Sequence, residues 1–156
     1  MQSTSCFFIG HRNISSKIYP RVLAEVERHI TEFGVREFCI GHYGAFDSIA
    51  ARAVKEAKKR YPDVRLIMLL PYHPGLQPIE IPPFFDGSYF PEGLEKVPHR
   101  AAILRANEHM IHNVAYLICY VNRSSGGARA VLDAALAREK RGLIRVTNLS
   151  GWAPNI

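Results

Sequence analysis

Three glycine-containing turns hold the residues whose types and spacing suit them to bind an anion. The first turn, FFIGHR, places Gly10, His11 and Arg12 directly after an apolar run. A guanidinium beside an imidazole can bind phosphate or carboxylate, and a glycine lets a ligand approach the backbone closely. The sequence therefore predicts that this turn forms one edge of an anion site.

Two further turns each precede a helical pattern. Gly41 and Gly44 bracket the turn in GHYGAFDS, and Gly126 and Gly127 follow the hydroxyl donor Ser125 in NRSSGGAR. The free N–H groups and the positive dipole end of a helix N-terminus favour phosphate or carboxylate binding there. Glycine also occurs at strand-to-helix corners for steric reasons alone, so the sequence leaves both interpretations open.

The elements between these turns predict that the turns meet in space. Short apolar runs alternate with helical periodicity, which is typical of a parallel sheet covered on both faces. The predicted strands span residues 5–9, 37–40, 64–70, 115–121 and 143–147, and the predicted helices span 18–33, 46–57, 99–112 and 128–141. The expected fold is α/β: one Rossmann-like domain over 1–156, with a doubly wound, mainly parallel five-stranded sheet and helices on both faces. Ligands of such sheets bind outside the carboxyl ends of the strands, where the three turns lie.

One long connection interrupts this pattern. Residues 71–98 contain seven of the ten prolines and several aromatic residues. Connections of this length are uncommon inside a compact domain, and the aromatic content argues against disorder. We predict an ordered flap, either over the C-terminal edge of the sheet or at a subunit contact. A loop packed on a helix is the alternative.

Composition narrows the classes of partner. The formal net charge of +6 is compatible with nucleic acid, with an anionic small ligand, or with solubility alone. Basic residues within 55–60 and 138–141 lie toward helix C-termini, where cations stabilise the helix dipole, and this favours solvated helix ends. Three cysteines within apolar runs predict reduced thiols, and no segment resembles a signal or a membrane span. A cytoplasmic protein with no membrane partner is expected.

Other well-known sites are not predicted. His109 and His112 share a helical face but have no further ligand at metal-site spacing, so we expect no metal. The sequence has no G-x-G-x-x-G, no G-x-x-x-x-G-K-[ST] and no G-x-S-x-G, and we expect no resident cofactor.

Four segments together resemble one protein family: CFFIGHR, GHYGAFDSIAARAVKEAKKRYP, YFPEGLEKVPHRAAILRANEHMI and SSGGARAVLDAAL. They are similar to the DUF1273-type, YpsA-like branch of the SLOG superfamily, a Rossmann-like group that includes DNA-processing proteins and the "Lonely Guy" phosphoribohydrolases. The resemblance covers almost the whole chain. It implies a cytosolic bacterial protein that binds a nucleotide-derived small molecule at the glycine turns. It also implies a homodimer or larger homo-oligomer, with the EHMIHNVAYL helix as the expected contact.

The resemblance also assigns residues to the ligand site. Asp47 either caps its helix or hydrogen-bonds a ribose hydroxyl, and the resemblance favours the second role. In the third helix Asn107 matches the family, whereas Arg105 lies one position away from the family's arginine. The full expected ligand set is Gly10, His11, Arg12, Gly41, Gly44, Phe46, Asp47, Arg105, Asn107, Ser125, Gly126 and Gly127.

The catalytic residues are unknown from the sequence, and the chain is not assigned as an enzyme. The phosphoribohydrolases place a glutamate where this chain has Asp133, but Arg129 and Ala130 replace a glycine and a threonine of that motif. Asp133 and Asp47 are the candidate carboxylates. We expect a binding module or sensor. The alternatives are a nucleoside-phosphate N-glycosidase and a nucleic-acid-binding protein like the DNA-processing members.

Overall fold

Apolar strands alternate with helices through residues 4–73, 75 and 78–151, which the computed structural model describes. The strands are β1 (Ser5–Gly10), β2 (Glu37–Ile40), β3 (Arg65–Leu69), β4 (Gly87–Tyr89), β5 (Tyr116–Tyr120) and β6 (Arg145–Asn148). The helices are α1 (Tyr19–Phe33), α2 (Ala45–Lys58), α3 (Ala102–Asn113) and α4 (Gly127–Glu139). The fold is therefore α/β, as the sequence predicts.

All six strands form one sheet in the order β4-β3-β2-β1-β5-β6, and every neighbouring pair is parallel. The chain builds outward from β1 to β4 and then returns to place β5 on the other side of β1. Gly10 at the end of β1 pairs with Tyr120 at the end of β5. The strand order reverses between these two strands, an arrangement consistent with a Rossmann-like fold, in which ligands bind at the reversal.

Helices cover both faces of the sheet, as predicted. The side chain of Phe8 packs in the core beneath α1 and α2, whereas Phe7 and Ile9 pack in the core beneath α3 and α4. Because neither face meets solvent, the central strands are apolar at consecutive positions rather than at alternate ones. The carboxyl ends of β1 and β5 are held rigidly between two layers of helices.

The number of strands differs from the prediction, because the segment predicted as a flap contributes a sixth strand. Strand β4 lies within residues 71–98 and pairs with β3, with Ile67 opposite Gly87. A carboxylate oxygen of Asp86 accepts the Leu66 N–H at 2.7 Å and fixes the start of this pairing. Phe84 and Phe85 pack against the core beneath α1 and α2. Residues 74, 76 and 77 of the predicted flap lie outside the described residues.

Helix ends follow local backbone chemistry. Helix α1 ends as predicted at Gly34, whose φ of 72° is left-handed and whose N–H donates to the His29 carbonyl. Helix α3 begins later than predicted because residues His99–Ala101 form a 3-10 turn before it. These shifts leave every predicted helix in place.

Two expectations from the sequence concern the state of the cysteines and the absence of a membrane span. Cys6, Cys39 and Cys119 are free and buried, and burial raises the pKa of each thiol. The cysteines therefore pack as small apolar side chains. Within the described ranges, none of the helices has the length and apolarity required to cross a membrane.

Helix α1 buries one titratable side chain completely. The His29 ring is fully shielded from solvent, its Nδ1 lies 2.8 Å from the Glu25 carbonyl oxygen, and its Nε2 has no hydrogen-bond partner among residues 4–73, 75 and 78–151. The rings of Phe33 and Tyr116 pack edge-to-face with the His29 ring, with centroid distances of 5.0 and 5.6 Å. Burial lowers the pKa of His29, against the smaller opposing effect of Glu25. The folded state therefore favours the neutral ring.

We predict that this histidine makes the fold sensitive to acid. Because the pKa of His29 is lower in the folded than in the unfolded chain, unfolding takes up a proton below about pH 6.5. Its contribution to stability is present at neutral pH and decreases by up to about 1.4 kcal/mol per pH unit as the pH falls. Urea unfolding between pH 5 and 7.5 should show a steeper decline for the wild type than for His29→Phe. Equal slopes for the two proteins would contradict this prediction.

Candidate functional site

A cleft of about 460 Å³ opens at the carboxyl ends of β1 and β5, where the strand order reverses. Four segments form its walls: the loops after β1, β2 and β5, and one side of α3. These segments are far apart in the sequence, and the sheet topology brings them together. The predicted ligand residues that line the cleft are Gly10, His11, Arg12, Gly44, Asp47, Asn107, Ser125, Gly126 and Gly127.

The remaining predicted residues lie elsewhere. Phe46 is buried in the core beneath α2, and Gly41 is buried beneath the Tyr43 ring. Arg105 lines a separate shallow hollow beside His109. Asp133, with 55% of its side chain exposed, binds Arg129 instead of lining the cleft.

The glycines of the first two turns are required by the packing of the chain itself. A Cβ added to Gly10 would lie 2.2 Å from the Phe46 ring, and one added to Gly44 would lie 2.5 Å from the Arg12 Cα. At Gly41 it would lie 2.7 Å from the Tyr43 ring. Of the two interpretations left open by the sequence, the steric one accounts for these three positions.

The turn before α4 is different. Gly126 has a φ of 103°, which residues other than glycine rarely adopt. A Cβ added to Gly126 or Gly127 would meet no atom within 4 Å. In the part of the chain that the structure describes, no acceptor is found for the N–H groups of Gly127 and Ala128. The N-terminus of α4 therefore presents unpaired donors and open space to the cleft.

Helix α2 does not offer the same donors, although its turn was also predicted to form an anion cradle. The Ala45 N–H donates to the Arg12 carbonyl at 2.9 Å, and the Phe46 N–H donates to the His11 carbonyl at 3.4 Å. The loop after β1 thus occupies the N-terminus of α2 and is fixed by it. Of the two turns predicted as anion cradles, the one before α4 therefore has the free donors.

Two arginines face the cleft from opposite sides of the strand reversal. Arg12 follows β1, Arg123 follows β5, and both are exposed. Neither has a carboxylate within 4.0 Å among the described residues, whereas many other basic side chains of this protein are ion-paired. The positive charge is therefore free to meet an anionic ligand.

The imidazole of His11 joins the two arginine loops. Its Nε2 accepts the Asn122 N–H at 3.1 Å, so the neutral ring has its proton on Nδ1. Burial and the neighbouring Arg123 lower the pKa of His11. A neutral ring at pH 7 keeps this hydrogen bond, which makes His11 a link between the loops as well as a lining residue.

Asp47 is the acidic group of the cleft. One of its carboxylate oxygens accepts the Tyr43 N–H at 3.0 Å. Burial raises the pKa of Asp47 to about 6, although the hydrogen bond from Tyr43 acts in the opposite direction. A carboxyl group that titrates near neutrality can exchange a proton with a ligand, and such groups cluster at functional sites.

Helix α3 supplies the wall that has no charge. Asn107 is buried, with 9% of its surface exposed, and its side-chain amide has no hydrogen bond to any described residue. Ile103 and Leu104 lie beside it, and Leu104 is 40% exposed. The Asn107 amide faces the cleft, so this wall combines apolar side chains with a group that can both donate and accept hydrogen bonds.

Sequence reasoning missed several lining residues, most importantly Arg123. It follows the end of β5 much as Arg12 follows the end of β1, and that shared position was the available signal. Tyr43 was also missed, and within the described residues its buried hydroxyl has no hydrogen-bond partner. Ile103 and Leu104 resemble ordinary helix-core residues in sequence, so no signal distinguished them.

Neither a protein-family model nor a curated protein matches this chain. The resemblance to the SLOG superfamily therefore stays an expectation from sequence motifs.

Proposed function

We propose that this chain binds a nucleotide or nucleotide-derived ligand in the cleft, as a binding module or sensor of the SLOG type. The observation that supports this most directly is the convergence of Arg12, Arg123 and the N-terminus of α4 at the strand reversal. A phosphate accepts hydrogen bonds from guanidinium groups and from helix N–H donors at once.

The rest of the cleft suits the rest of such a ligand. Its volume of about 460 Å³ falls within the usual range for small-molecule sites. The phosphate would meet the cationic side, and the base or sugar would meet the α3 wall, where Asn107 offers one donor group and one acceptor. Asp47, in the first turn of α2, also lines the cleft and is available to a ribose hydroxyl.

A thermal-melt screen tests the proposal. The ligands are adenosine and guanosine monophosphates, cyclic nucleotides, ADP-ribose, NAD, adenosine without phosphate, and a short single-stranded oligonucleotide. A ligand at about one hundred times its Kd should add about 2.7 kcal/mol of stability and raise the Tm by several degrees. We expect Arg12→Ala and Arg123→Ala each to reduce the shift strongly, because each removes one side of the phosphate site.

Arg141→Ala is the matched control. Arg141 is exposed beyond the C-terminal end of α4, so this variant loses the same charge without touching the cleft. It should retain the full shift. The proposal fails if no phosphate-containing ligand raises the Tm, or if all three variants reduce the shift equally.

A hydrolase of nucleoside phosphates is the second candidate, and the environment of Asp47 favours it. A carboxyl group with a pKa of about 6 can act as a general acid or base near neutral pH. Asp133, the other candidate carboxylate, is held by Arg129 outside the cleft. Release of a free base from a bound nucleotide, detected by chromatography, would select the hydrolase. If a nucleotide binds and no free base is released from it, the result would favour the sensor.

The contacts of the basic residues give little support to nucleic-acid binding. Near the end of α2, Lys58 pairs with Asp86, Lys59 pairs with Glu56, and Arg60 pairs with Glu27. A Tm shift that only the oligonucleotide produces, and that disappears as the salt concentration is raised, would favour nucleic-acid binding over the other two functions.

A further inference from the structure

The loop between β5 and α4 is fixed by a pair of side chains outside the cleft. Arg129 Nε donates to a carboxylate oxygen of Asp133 at 2.7 Å, and Arg129 Nη1 donates to the Arg123 carbonyl at 3.3 Å. Arg129 is largely covered, with 19% of its side chain exposed. The pair therefore connects the first turn of α4 to the backbone of the residue that presents a guanidinium to the cleft.

This contact is the last of three anchors on consecutive residues. The side chain of Asn148 on β6 binds both the N–H and the carbonyl of Val121, at 3.2 and 3.0 Å. His11 binds the Asn122 N–H from the loop after β1. Arg129 then binds the carbonyl of Arg123. Each anchor comes from a different element, so the path of the loop is determined as far as Arg123.

We propose that Arg129 and Asp133 are positioning residues for the ligand's anionic group. By holding the Arg123 carbonyl, they fix the backbone at the base of the Arg123 side chain relative to the first turn of α4, which carries the N–H groups of Gly127 and Ala128. Donors that are already ordered bind an anion more tightly, because no free energy is needed to order them when the anion binds. The inference rests on the proposed function, and it gives Asp133 a role other than chemistry on the ligand.

Charge and positioning predict opposite results at Asp133. Removing a carboxylate near a cationic site makes that site more positive, so electrostatics alone predicts tighter binding of an anion. Loss of positioning predicts weaker binding, because Arg129 is no longer oriented toward the Arg123 carbonyl. The sign of the change in Kd after Asp133→Ala, which removes both the charge and the acceptor, therefore separates the two explanations.

The experiment measures Kd by titration calorimetry with inorganic phosphate and with adenosine monophosphate as probes. We expect Asp133→Ala and Arg129→Lys to bind each probe about 3- to 10-fold more weakly, the effect of losing one oriented hydrogen bond. Arg129→Lys keeps the charge but cannot hold both acceptors in fixed geometry. Asp133→Glu keeps both charge and reach, and we expect it to restore most of the affinity.

Hydrogen exchange at the backbone amides of Val121 and Asn122, which are hydrogen-bonded to Asn148 and His11, tests without any ligand whether Arg129 and Asp133 hold this loop. We expect faster exchange at these amides in Asp133→Ala and Arg129→Lys, with exchange in β2 and β3 unchanged. If the wild type binds a probe and the two variants bind it equally or more tightly, the positioning role is wrong. If the wild type binds neither probe nor any phosphate-containing ligand of the thermal-melt screen, the proposed function fails, and exchange alone decides the positioning role: unchanged exchange overturns it, and locally faster exchange supports it.

Discussion

Gly10→Ala is expected to lower the free energy of unfolding by about 3 kcal/mol, at the upper end of what overpacking costs. The new methyl group would lie 2.2 to 2.6 Å from three atoms of Phe46, one of which is its Cβ. Because a Cβ is attached directly to the backbone, Phe46 cannot avoid the clash by rotating its ring. Helix α2 or β1 must therefore shift, and the surrounding core is closely packed. Urea unfolding followed by circular dichroism measures the loss.

Gly127→Ala provides the matched control, because the same methyl group would meet no atom within 4 Å. Its stability should stay within about 0.5 kcal/mol of the wild type, since alanine suits a helix and the space is open. If Gly10 were present mainly to admit a ligand, Gly10→Ala would fold with wild-type stability and lose only affinity. That result would contradict the steric explanation.

Asp47→Asn is expected to stabilise the protein at pH 7.5 by about 3 kcal/mol. Burial raises the pKa of Asp47 from 3.8 to about 6, and a pKa difference of one between the folded and unfolded chain corresponds to about 1.4 kcal/mol. The folded chain therefore favours the protonated acid, and stability is lost as the pH rises from about 4 through 6 and the group ionises. Asparagine remains neutral and can still accept the Tyr43 N–H.

The pH dependence distinguishes this cause from a general effect of the substitution. The difference in unfolding free energy between Asp47→Asn and the wild type should be small at pH 4 and fully developed above pH 6.5. A constant difference across that range would contradict the prediction. If the cleft is hydrolytic, the stabler variant should also lose turnover while still binding nucleotide, as expected where a functional group is kept at a cost in stability.

The sequence predicted the central strands and all four helices, but it did not predict β4. Strands β1 and β5 are continuous apolar runs because both their faces are covered, and such runs are visible in a sequence. Strand β4 has three residues, begins at a glycine and lies within a proline-rich segment. Its position depends on the contact of Asp86 with Leu66 across the sheet edge, and no local pattern encodes such a contact.

The location of the site followed from topology, whereas the role of each glycine did not. Any glycine after a strand has the same appearance in sequence, but Gly10 faces a phenylalanine ring and Gly127 faces open space. That difference depends on how α2 and α4 pack, which periodicity does not specify. Asp133 is a different case, because its partner Arg129 lies four residues before it on the same helix, a spacing that is visible in the sequence.

The pairing of β1 with both β2 and β5 also bears on how the chain is made. During synthesis β1, β2 and β3 emerge first, but α3, β5 and α4 follow only after β4 has been translated. Until then the apolar side chains of Phe7 and Ile9, and one hydrogen-bonding edge of β1, lack their final cover. We expect chains truncated before β5 to aggregate or to bind chaperones, because an unpaired central strand is a template for other strands. The reversal of strand order that creates the cleft thus delays folding until most of the protein exists.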